Sequence, residues 1–219
     1  MESREYFVIV LAGGRSSRLH DSAPAPTCDK PLLAGPSGTL LERSLREVSQ
    51  AVDVSMHRCV VVGPQDLPVP RGATVTREDP PFSGPASAIR AGLIAIGGLL
   101  GETGTRSDAG PWVFVTAADM PQAGPGFRVL REAAEQADAE IDAIIGDEDG
   151  RRQPLLSVMR WGPAVEAFDA DSASASIRSR LGRLRCLDVP IPRGSGADVD
   201  TWDDAVALGF SSSHGRSAP

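Results

Sequence analysis

Apolar runs alternate along the chain with amphipathic stretches, and this alternation is typical of an α/β protein. The run from Tyr6 to Ala12 is almost uninterrupted and rich in β-branched residues, which predicts a strand buried on both faces. The segment Thr39–Val52 carries its leucines and valine on one side, which predicts an amphipathic helix. The remaining predicted strands are Arg58–Val62, Ala73–Thr76, Trp112–Thr116, Asp142–Ile145, Leu155–Met159 and Cys186–Val189. The remaining predicted helices are Gly84–Leu100, Phe127–Ala137, Pro163–Phe168, Ser174–Leu181 and Thr201–Leu208.

Strands that lack polar alternation and are separated by helices predict a three-layer α/β sandwich around a mostly parallel, Rossmann-like central sheet. The later strands break the strict alternation, so the sheet should be mixed. We expect one domain over residues 1–210, a mobile loop over 101–111 and a disordered polar tail over 211–219.

Charge and composition exclude some classes of function. The net charge of −7 argues against a nucleic-acid-binding surface, which needs excess positive charge. The spacing of Cys28, Cys59 and Cys186 indicates neither a disulfide framework nor a zinc site. No apolar run is long enough to span a membrane, and no signal peptide is evident. We therefore expect a cytoplasmic protein.

A glycine loop with nearby cations follows the first predicted strand. Gly13 and Gly14 come at the carboxyl end of that strand, where open α/β sheets bind ligands. A Gly-Gly pair can simply form a tight turn, but Arg15, Arg18 and Lys30 add positive charge that an anionic ligand would balance. Lys30 is the only lysine among 22 basic residues, and its compact ammonium suits a crowded phosphate site. The absence of G-x-G-x-x-G makes a Rossmann-type oxidoreductase improbable, and there is no P-loop.

Four further segments could carry chemistry, and three of them contain acidic residues. Asp119 follows a buried strand, where it could bind Mg²⁺ together with substrate phosphates, or simply cap the next segment. The stretch from Asp79 to Gly84 could be only a turn and helix start. Asp198 and Asp200 precede the last helix, where Asp200 or Thr201 could be its N-cap. The segment 151–154 could be a solvated turn or an anion contact.

Taken in order, the motifs LAGG-x-S-x-R, DKPLL, EDP-x-x-x-GP, ADMP, QPLL and DVDTWDD resemble one family. It is the nucleotidyltransferases that attach a nucleotide to the molybdenum cofactor, within the nucleotide-diphospho-sugar transferase fold. The resemblance implies that Lys30 binds phosphates, with Arg18 and Asp119 as further catalytic residues, and that Asp119 and Asp200 bind metal. It implies nucleotide contacts from Leu11, Ala12, Gly13, Gly14, Asp79 and Gly84, and acceptor contacts from Gln153, Pro154, Asp198 and Asp200.

The expected reaction is Mg²⁺-dependent transfer of a nucleoside monophosphate from an NTP to an acceptor phosphate, with release of pyrophosphate. By resemblance, the LAGG loop favours GTP as donor and molybdopterin as acceptor, with molybdoenzymes or cofactor-biosynthesis proteins as partners. Two alternatives remain open. One is a cytidylyl- or sugar-phosphate nucleotidyltransferase, since Gly63 stands where many relatives carry a polar residue. The other is a non-catalytic nucleotide-binding protein, which His20 and the lengthened loop from Asp21 to Cys28 favour.

Overall fold

The computed structural model describes residues 5–14, 16–24, 28–103, 110–169 and 175–211. The strands of this part of the chain are β1 (Tyr6–Leu11), β2 (Ala34–Gly35), β3 (Gly38–Thr39), β4 (Cys59–Val62), β5 (Thr74–Thr76), β6 (Trp112–Ala117), β7 (Ala143–Glu148), β8 (Arg151–Arg160) and β9 (Cys186–Pro190). The α-helices are α1 (Ser17–Ser22), α2 (Leu40–Val52), α3 (Pro85–Thr103), α4 (Gly124–Gln136), α5 (Trp161–Ala167), α6 (Ile177–Leu181) and α7 (Trp202–Ala207). Short 3₁₀ helices span Lys30–Leu32 and Met56–Arg58.

Seven of the strands form one sheet in the order β5-β4-β1-β6-β8-β7-β9, and β2 pairs with β3 in a small separate hairpin. Strands β5, β4, β1 and β6 are parallel neighbours. Strand β8 is antiparallel to both β6 and β7, and β9 is parallel to β7. The predicted mixed, mostly parallel sheet is therefore confirmed.

Helices cover both faces of the sheet, which gives the predicted three layers. On one face, α2 and α4 bury leucines and Phe127 against β1 and Phe114 of β6. On the other face, Ile89 and Leu93 of α3 pack against Ile9 and Val115, and α5 and α6 add further apolar residues to the same core. Because both faces are covered, the central strands have no solvent-facing positions, and this explains their lack of polar alternation.

Local sequence signals account for where several helices begin. A capping box between Thr39 and Glu42 starts α2. Pro85 is the first residue of α3, where its missing N–H costs no hydrogen bond. Thr201, rather than Asp200, is the N-cap of α7 and forms a capping box with Asp204.

Three sequence predictions need correction. Residues 151–154 are not a turn, because they open β8, and the turn lies at Asp149 and Gly150, both with positive φ. The predicted loop 101–111 begins too early, because α3 continues to Thr103 and residues 104–109 lie outside the described part. Ser211 is paired with Ala34 and does not belong to a free tail, whereas 212–219 lie outside the described residues.

Among the described residues, no helix combines the length and the apolar composition that crossing a membrane would require.

Candidate active site

Two neighbouring parallel strands bring the glycine loop and Asp119 together. Strands β1 and β6 run in register, with Leu11 opposite Ala117 at their carboxyl ends. The pairing continues one step further, because the Ala118 N–H donates to the Leu11 carbonyl at 2.8 Å. Gly13 and Asp119 therefore leave the same edge of the sheet, as the sequence predicts for adjacent parallel strands.

Lys30 reaches this edge from the 3₁₀ helix Lys30–Leu32. Its Nζ donates to Asp119 Oδ2 at 2.6 Å and to Asp200 Oδ1 at 3.4 Å. The lysine side chain is only 14% exposed, so the contacts are partly shielded from water and are stronger than surface ion pairs. The lengthened loop before Lys30 thus still delivers its ammonium to Asp119.

Asp200 arrives from the other end of the chain and is held in place by backbone contacts. The Val199 N–H donates to the Asp119 carbonyl at 2.9 Å, which ties the two acidic segments together. Arg18 of α1 donates to the second oxygen of Asp200. Arg18 is 76% exposed, so it lies at the rim of the cluster, whereas Lys30 lies inside it.

Three carboxylates converge at this point. Asp119, Asp198 and Asp200 each offer an oxygen within 4.8 Å of the other two. Burial raises the pKa of Asp198, and the charges of Asp200 and Asp119 raise it further, while Lys30 acts in the opposite direction. Oxygen donors of this kind suit a hard divalent cation such as Mg²⁺ or Mn²⁺, so the donor set fits the metal that the sequence predicts.

A small third core lies beneath the charged cluster and connects the two ends of the chain. Its buried members come from residues 19–40 and from residues 199–210: Leu19, Leu33, Leu40, Val199, Ala205 and Phe210. Ser211 closes it by pairing with Ala34 through backbone hydrogen bonds of 2.7 and 2.8 Å. The packing fixes the segment that carries Lys30 against the segment that carries Asp200.

A cavity of about 330 Å³ opens beside the cluster. Small and apolar side chains make up most of its wall, and the polar groups are few, as is usual for a small-molecule site. Its lining residues are Leu11, Ala12, Gly13, Gly14, Ser16, Lys30, Pro31, Glu78, Phe82, Gly84, Pro85, Ala88, Ala117, Ala118, Asp119 and Leu155. Gly84 has a φ of +94°, a conformation that favours glycine, at the point where the chain turns into α3.

Most of the residues predicted to contact the nucleotide line this cavity: Leu11, Ala12, Gly13, Gly14, Lys30, Gly84 and Asp119. Asp79 does not line it. Its side chain is exposed, and the neighbouring Glu78 is buried on the wall instead. Arg15 lies outside the described residues.

The predicted acceptor residues fall into two groups. Asp198 and Asp200 join the carboxylate cluster. Gln153 and Pro154 lie within β8 and do not line the cavity, whereas the next residue, Leu155, does. The Gln153 side chain packs beside Gly196, on the loop that leads to Asp198.

Sequence reasoning missed Glu78 and Phe82. The available signal was the alternation of an extended chain, in which neighbouring side chains point in opposite directions. Only one member of the Glu78–Asp79 pair can then face inward. The sequence does not say which one, because nothing around the pair shows where the wall of the cavity lies.

An α/β sheet that gathers a glycine loop, a lysine and a carboxylate cluster at the carboxyl ends of its parallel strands has the make-up of a nucleotidyltransferase. The sequence agrees with this class. The chain belongs to the MobA-like NTP transferase domain family, whose model matches residues 8–185. No curated protein matches the sequence.

Solved structures share the fold at low sequence identity. Molybdopterin-guanine dinucleotide biosynthesis protein A from Archaeoglobus fulgidus is 21% identical, with a TM-score of 0.65, over 92% of this chain and 96% of that one. A 4-diphosphocytidyl-2C-methyl-D-erythritol synthase is 16% identical, with a TM-score of 0.66, over 94% and 98%. Rv0371c from Mycobacterium tuberculosis, in complex with manganese, is 16% identical, with a TM-score of 0.56, over 94% and 98%. These likenesses confirm the predicted nucleotide-diphospho-sugar transferase type of fold.

Proposed function

We propose that this protein transfers GMP from GTP to the phosphate of a small acceptor such as molybdopterin, in a Mg²⁺-dependent reaction that releases pyrophosphate. The observation that carries the proposal is the contact of Lys30 with Asp119 and Asp200, which cluster with Asp198 beside a glycine-lined cavity. The family supports nucleotidyl transfer in general. The choice of guanine and of a molybdopterin acceptor rests on the LAGG motif and the family resemblance.

In the proposed reaction an acceptor phosphate oxygen attacks the α-phosphorus of the donor. The new P–O bond forms as the bond to the β-phosphate breaks, and pyrophosphate leaves with the bonding electrons. Because the acceptor oxygen is already anionic, no side chain has to remove a proton from it. Catalysis then consists of positioning and charge stabilisation.

The proposed roles in phosphate binding and metal binding follow from where each residue lies. The backbone at Gly13 and Gly14 can approach phosphates closely, because neither position carries a side chain. Lys30 lies half-buried at the same cavity and supplies the compact positive charge, with Arg18 at the rim. Asp119, Asp198 and Asp200 would hold Mg²⁺, which supplies charge stabilisation for the phosphates when it is bound.

The carboxylate cluster itself supports a metal-dependent reaction. Three acidic groups this close repel one another, and Lys30 contacts only Asp119 and Asp200 among them. A divalent cation would neutralise the cluster and release Lys30 to interact with phosphate. We further infer that the protein acts in the cytoplasm, which the cysteine spacing favours.

A cytidylyltransferase is the second candidate, and it is favoured by the structural likeness to a 4-diphosphocytidyl-2C-methyl-D-erythritol synthase. One experiment separates the candidates. Thermal unfolding of the full chain is measured with GTP, CTP, ATP and UTP in the presence of Mg²⁺, followed by pyrophosphate release with molybdopterin as acceptor. A ligand that binds only the folded state raises Tm, so the base with the largest rise identifies the donor.

We expect the largest rise in Tm with GTP, and pyrophosphate release only when GTP, Mg²⁺ and molybdopterin are all present. A preference for CTP would favour the second candidate. Binding of GTP without any pyrophosphate release would instead indicate a non-catalytic nucleotide-binding protein.

A further inference from the structure

Glu78 is a buried acidic residue on the wall shared by two adjoining cavities. It is 7% exposed and lines both the cavity of about 330 Å³ and a neighbouring one of about 280 Å³. Its Oε1 accepts a hydrogen bond from the Phe82 N–H at 3.0 Å. Its Oε2 is buried and has no hydrogen-bond partner among the described residues. Buried polar atoms are nearly always hydrogen-bonded, so we expect a bound ligand to donate a hydrogen bond to this oxygen.

The Glu78 carboxylate lies directly beside the glycine loop. A β-carbon at position 13 would lie 3.6 Å from Oε1, 3.8 Å from Oε2 and 3.8 Å from the Gly63 Cα. Gly63, at the end of β4, offers no side chain here. Polar recognition at this part of the wall therefore falls to Glu78.

The surroundings of Glu78 suit a flat, partly apolar ring. Pro64 and Leu67 line the neighbouring cavity on one side. Phe82 lines both cavities, and the Arg77 guanidinium stacks over its ring at 5.5 Å. A planar heterocycle could therefore bury its faces while its edge meets the carboxylate.

The chemistry of that edge selects one base. A carboxylate only accepts hydrogen bonds, and it can accept two in parallel from adjacent donors. Guanine presents two adjacent donors, N1–H and the exocyclic amino group. Adenine and cytosine place an acceptor next to their amino donor, and uracil places a carbonyl on each side of its single N–H. An acceptor facing a carboxylate is repelled, so these three bases fit less well.

We propose that Glu78 selects the donor nucleotide by accepting hydrogen bonds from the N1–H and amino groups of guanine. This inference rests on the proposed function, and it assigns base selection to a residue next to Asp79, the predicted nucleoside contact. The paired hydroxyls of a ribose could also donate to a carboxylate, and the experiment distinguishes the two sources.

The test is equilibrium binding of nucleotides to the full chain with Mg²⁺, for the wild type and Glu78→Gln. The panel is GTP, ITP, XTP, CTP, ATP and 2′-deoxyGTP. ITP lacks the amino group, so we expect the wild type to bind GTP about tenfold or more tightly than ITP. Glu78→Gln should lose about tenfold or more in GTP affinity and should gain in affinity for XTP. The gain is expected because a carboxamide can donate to the C2 carbonyl of xanthine while accepting from its N1–H.

Two matched variants serve as controls. Glu132→Gln makes the same chemical change on an exposed face of α4 and should leave the base ranking unaltered. Asp79→Asn tests the neighbouring acid, and the order of preference among bases should survive it. If Glu78→Gln does not fold, Glu78→Asp keeps the charge but withdraws it from the cavity, and it should also reduce the GTP-to-ITP ratio.

Each result supports or overturns the proposal. Equal binding of GTP and ITP by the wild type, or an unchanged base ranking in Glu78→Gln, would overturn it. If Glu78→Gln changed only the discrimination against 2′-deoxyGTP, the carboxylate would be assigned to the ribose and the proposal would also be overturned. Failure of every nucleotide to bind the wild type would overturn it as well. If pyrophosphate is released but the base ranking does not depend on Glu78, this inference is wrong and the proposed function stands. A ranking that depends on Glu78 without any turnover would remove the proposed function and leave this inference.

Discussion

The acidic residues in the two halves of the sheet differ in how they are paired with positive charge. In and beside the half formed by β8, β7 and β9, four aspartates form ion pairs with arginines at 2.8–3.0 Å: Asp142–Arg185, Asp169–Arg180, Asp169–Arg183, Asp188–Arg152 and Asp149–Arg193. At the edge formed by β1 and β6, three aspartates are crowded together, and Lys30 and Arg18 contact only Asp119 and Asp200 among them. The first arrangement gives each of these aspartates an opposite charge, whereas the second holds three negative charges near two positive ones and, under the proposed function, would be completed by a bound cation.

Under the proposed function, this difference separates residues that stabilise the fold from residues that bind substrate and metal. Like charges held close together cost stability, and such a cost is a common accompaniment of an active site. Removing an acidic charge should therefore lower stability in the first half and raise it at the binding edge, and only at the edge should it affect ligand binding.

The largest effect is expected from Lys30→Ala. Loss of a charge contact to a reacting phosphate typically costs about 3 kcal/mol or more, so kcat/KM with GTP and Mg²⁺ should fall by about 100-fold or more. Thermal stability without ligand should also fall, because Asp119 and Asp200 lose their half-buried counter-charge. Steady-state kinetics and thermal unfolding measure the two effects separately.

Lys30→Arg is the matched control. It keeps the positive charge, so the unliganded protein should unfold near the wild-type Tm. The wide planar guanidinium should not fit the phosphate position, so kcat/KM should remain about 100-fold reduced. Wild-type kcat/KM in Lys30→Arg would show that charge alone suffices and would remove the special role of the lone lysine.

An intermediate effect, confined to stability, is expected from Asp142→Asn in the other half. Asp142 is buried and accepts three hydrogen bonds of 3.0 Å from the backbone N–H, Nε and Nη2 of Arg185. An amide turns one accepting oxygen into a donor, which should lower the free energy of unfolding by about 1–2 kcal/mol. Denaturant unfolding measures this loss, and kcat/KM at 25 °C should not change.

The Asp142 effect should depend on pH in a defined direction. The hydrogen bonds from Arg185 hold the pKa of Asp142 below its usual value. The stabilisation that ionised Asp142 contributes is therefore fully present above its unfolded-state pKa of about 4. It is lost as the pH falls through the lower pKa of the folded state. The gap between wild type and Asp142→Asn should be constant from about pH 5 to 8 and should close below about pH 4. A gap that widened on acidification would contradict this account.

The smallest effect, and the one of opposite sign, is expected from Asp198→Asn. Removing one of three crowded charges should raise the Tm of the unliganded protein by about 1–2 °C, the shift expected for about 0.5 kcal/mol in a chain of this size. The same change should reduce the further rise in Tm that Mg²⁺ and GTP produce together. A lower Tm without ligand would mean that Asp198 is a structural residue, like the matched acids of the other half.

The sequence predicts much of this comparison, because β1 and β6 read as strands buried on both faces and each is followed by residues that suggest a binding site. Gly13 and Gly14 after β1 and Asp119 after β6 are therefore predictable, since parallel strands share one edge. The antiparallel direction of β8 was not predictable, because its polar opening residues, 151–154, look like a turn. Helix α1 was also missed, since it is six residues long and buries only Leu19, too little to show a period.

Contacts between distant segments were the least predictable part of the site. Nothing in the sequence around Asp198 shows that its carboxylate lies near Asp119, because this depends on the Val199 N–H donating to the Asp119 carbonyl. The inward position of Glu78 and the outward position of Asp79 likewise depend on the path of the chain between β5 and α3.

The pairing of Ala34 with Ser211 has a consequence for the synthesis of this protein on the ribosome. Lys30 is made early, but the segment that holds it packs on Val199, Ala205 and Phe210, which are translated more than 160 residues later. The central strands can fold as the nascent chain emerges, since domains generally fold from their N-terminal parts during translation. The lysine can therefore dock against its aspartates only after translation has passed residue 211. A polypeptide truncated before Phe210 should retain the central sheet with Gly13 and Asp119 but lose the packing that holds Lys30 against Asp200.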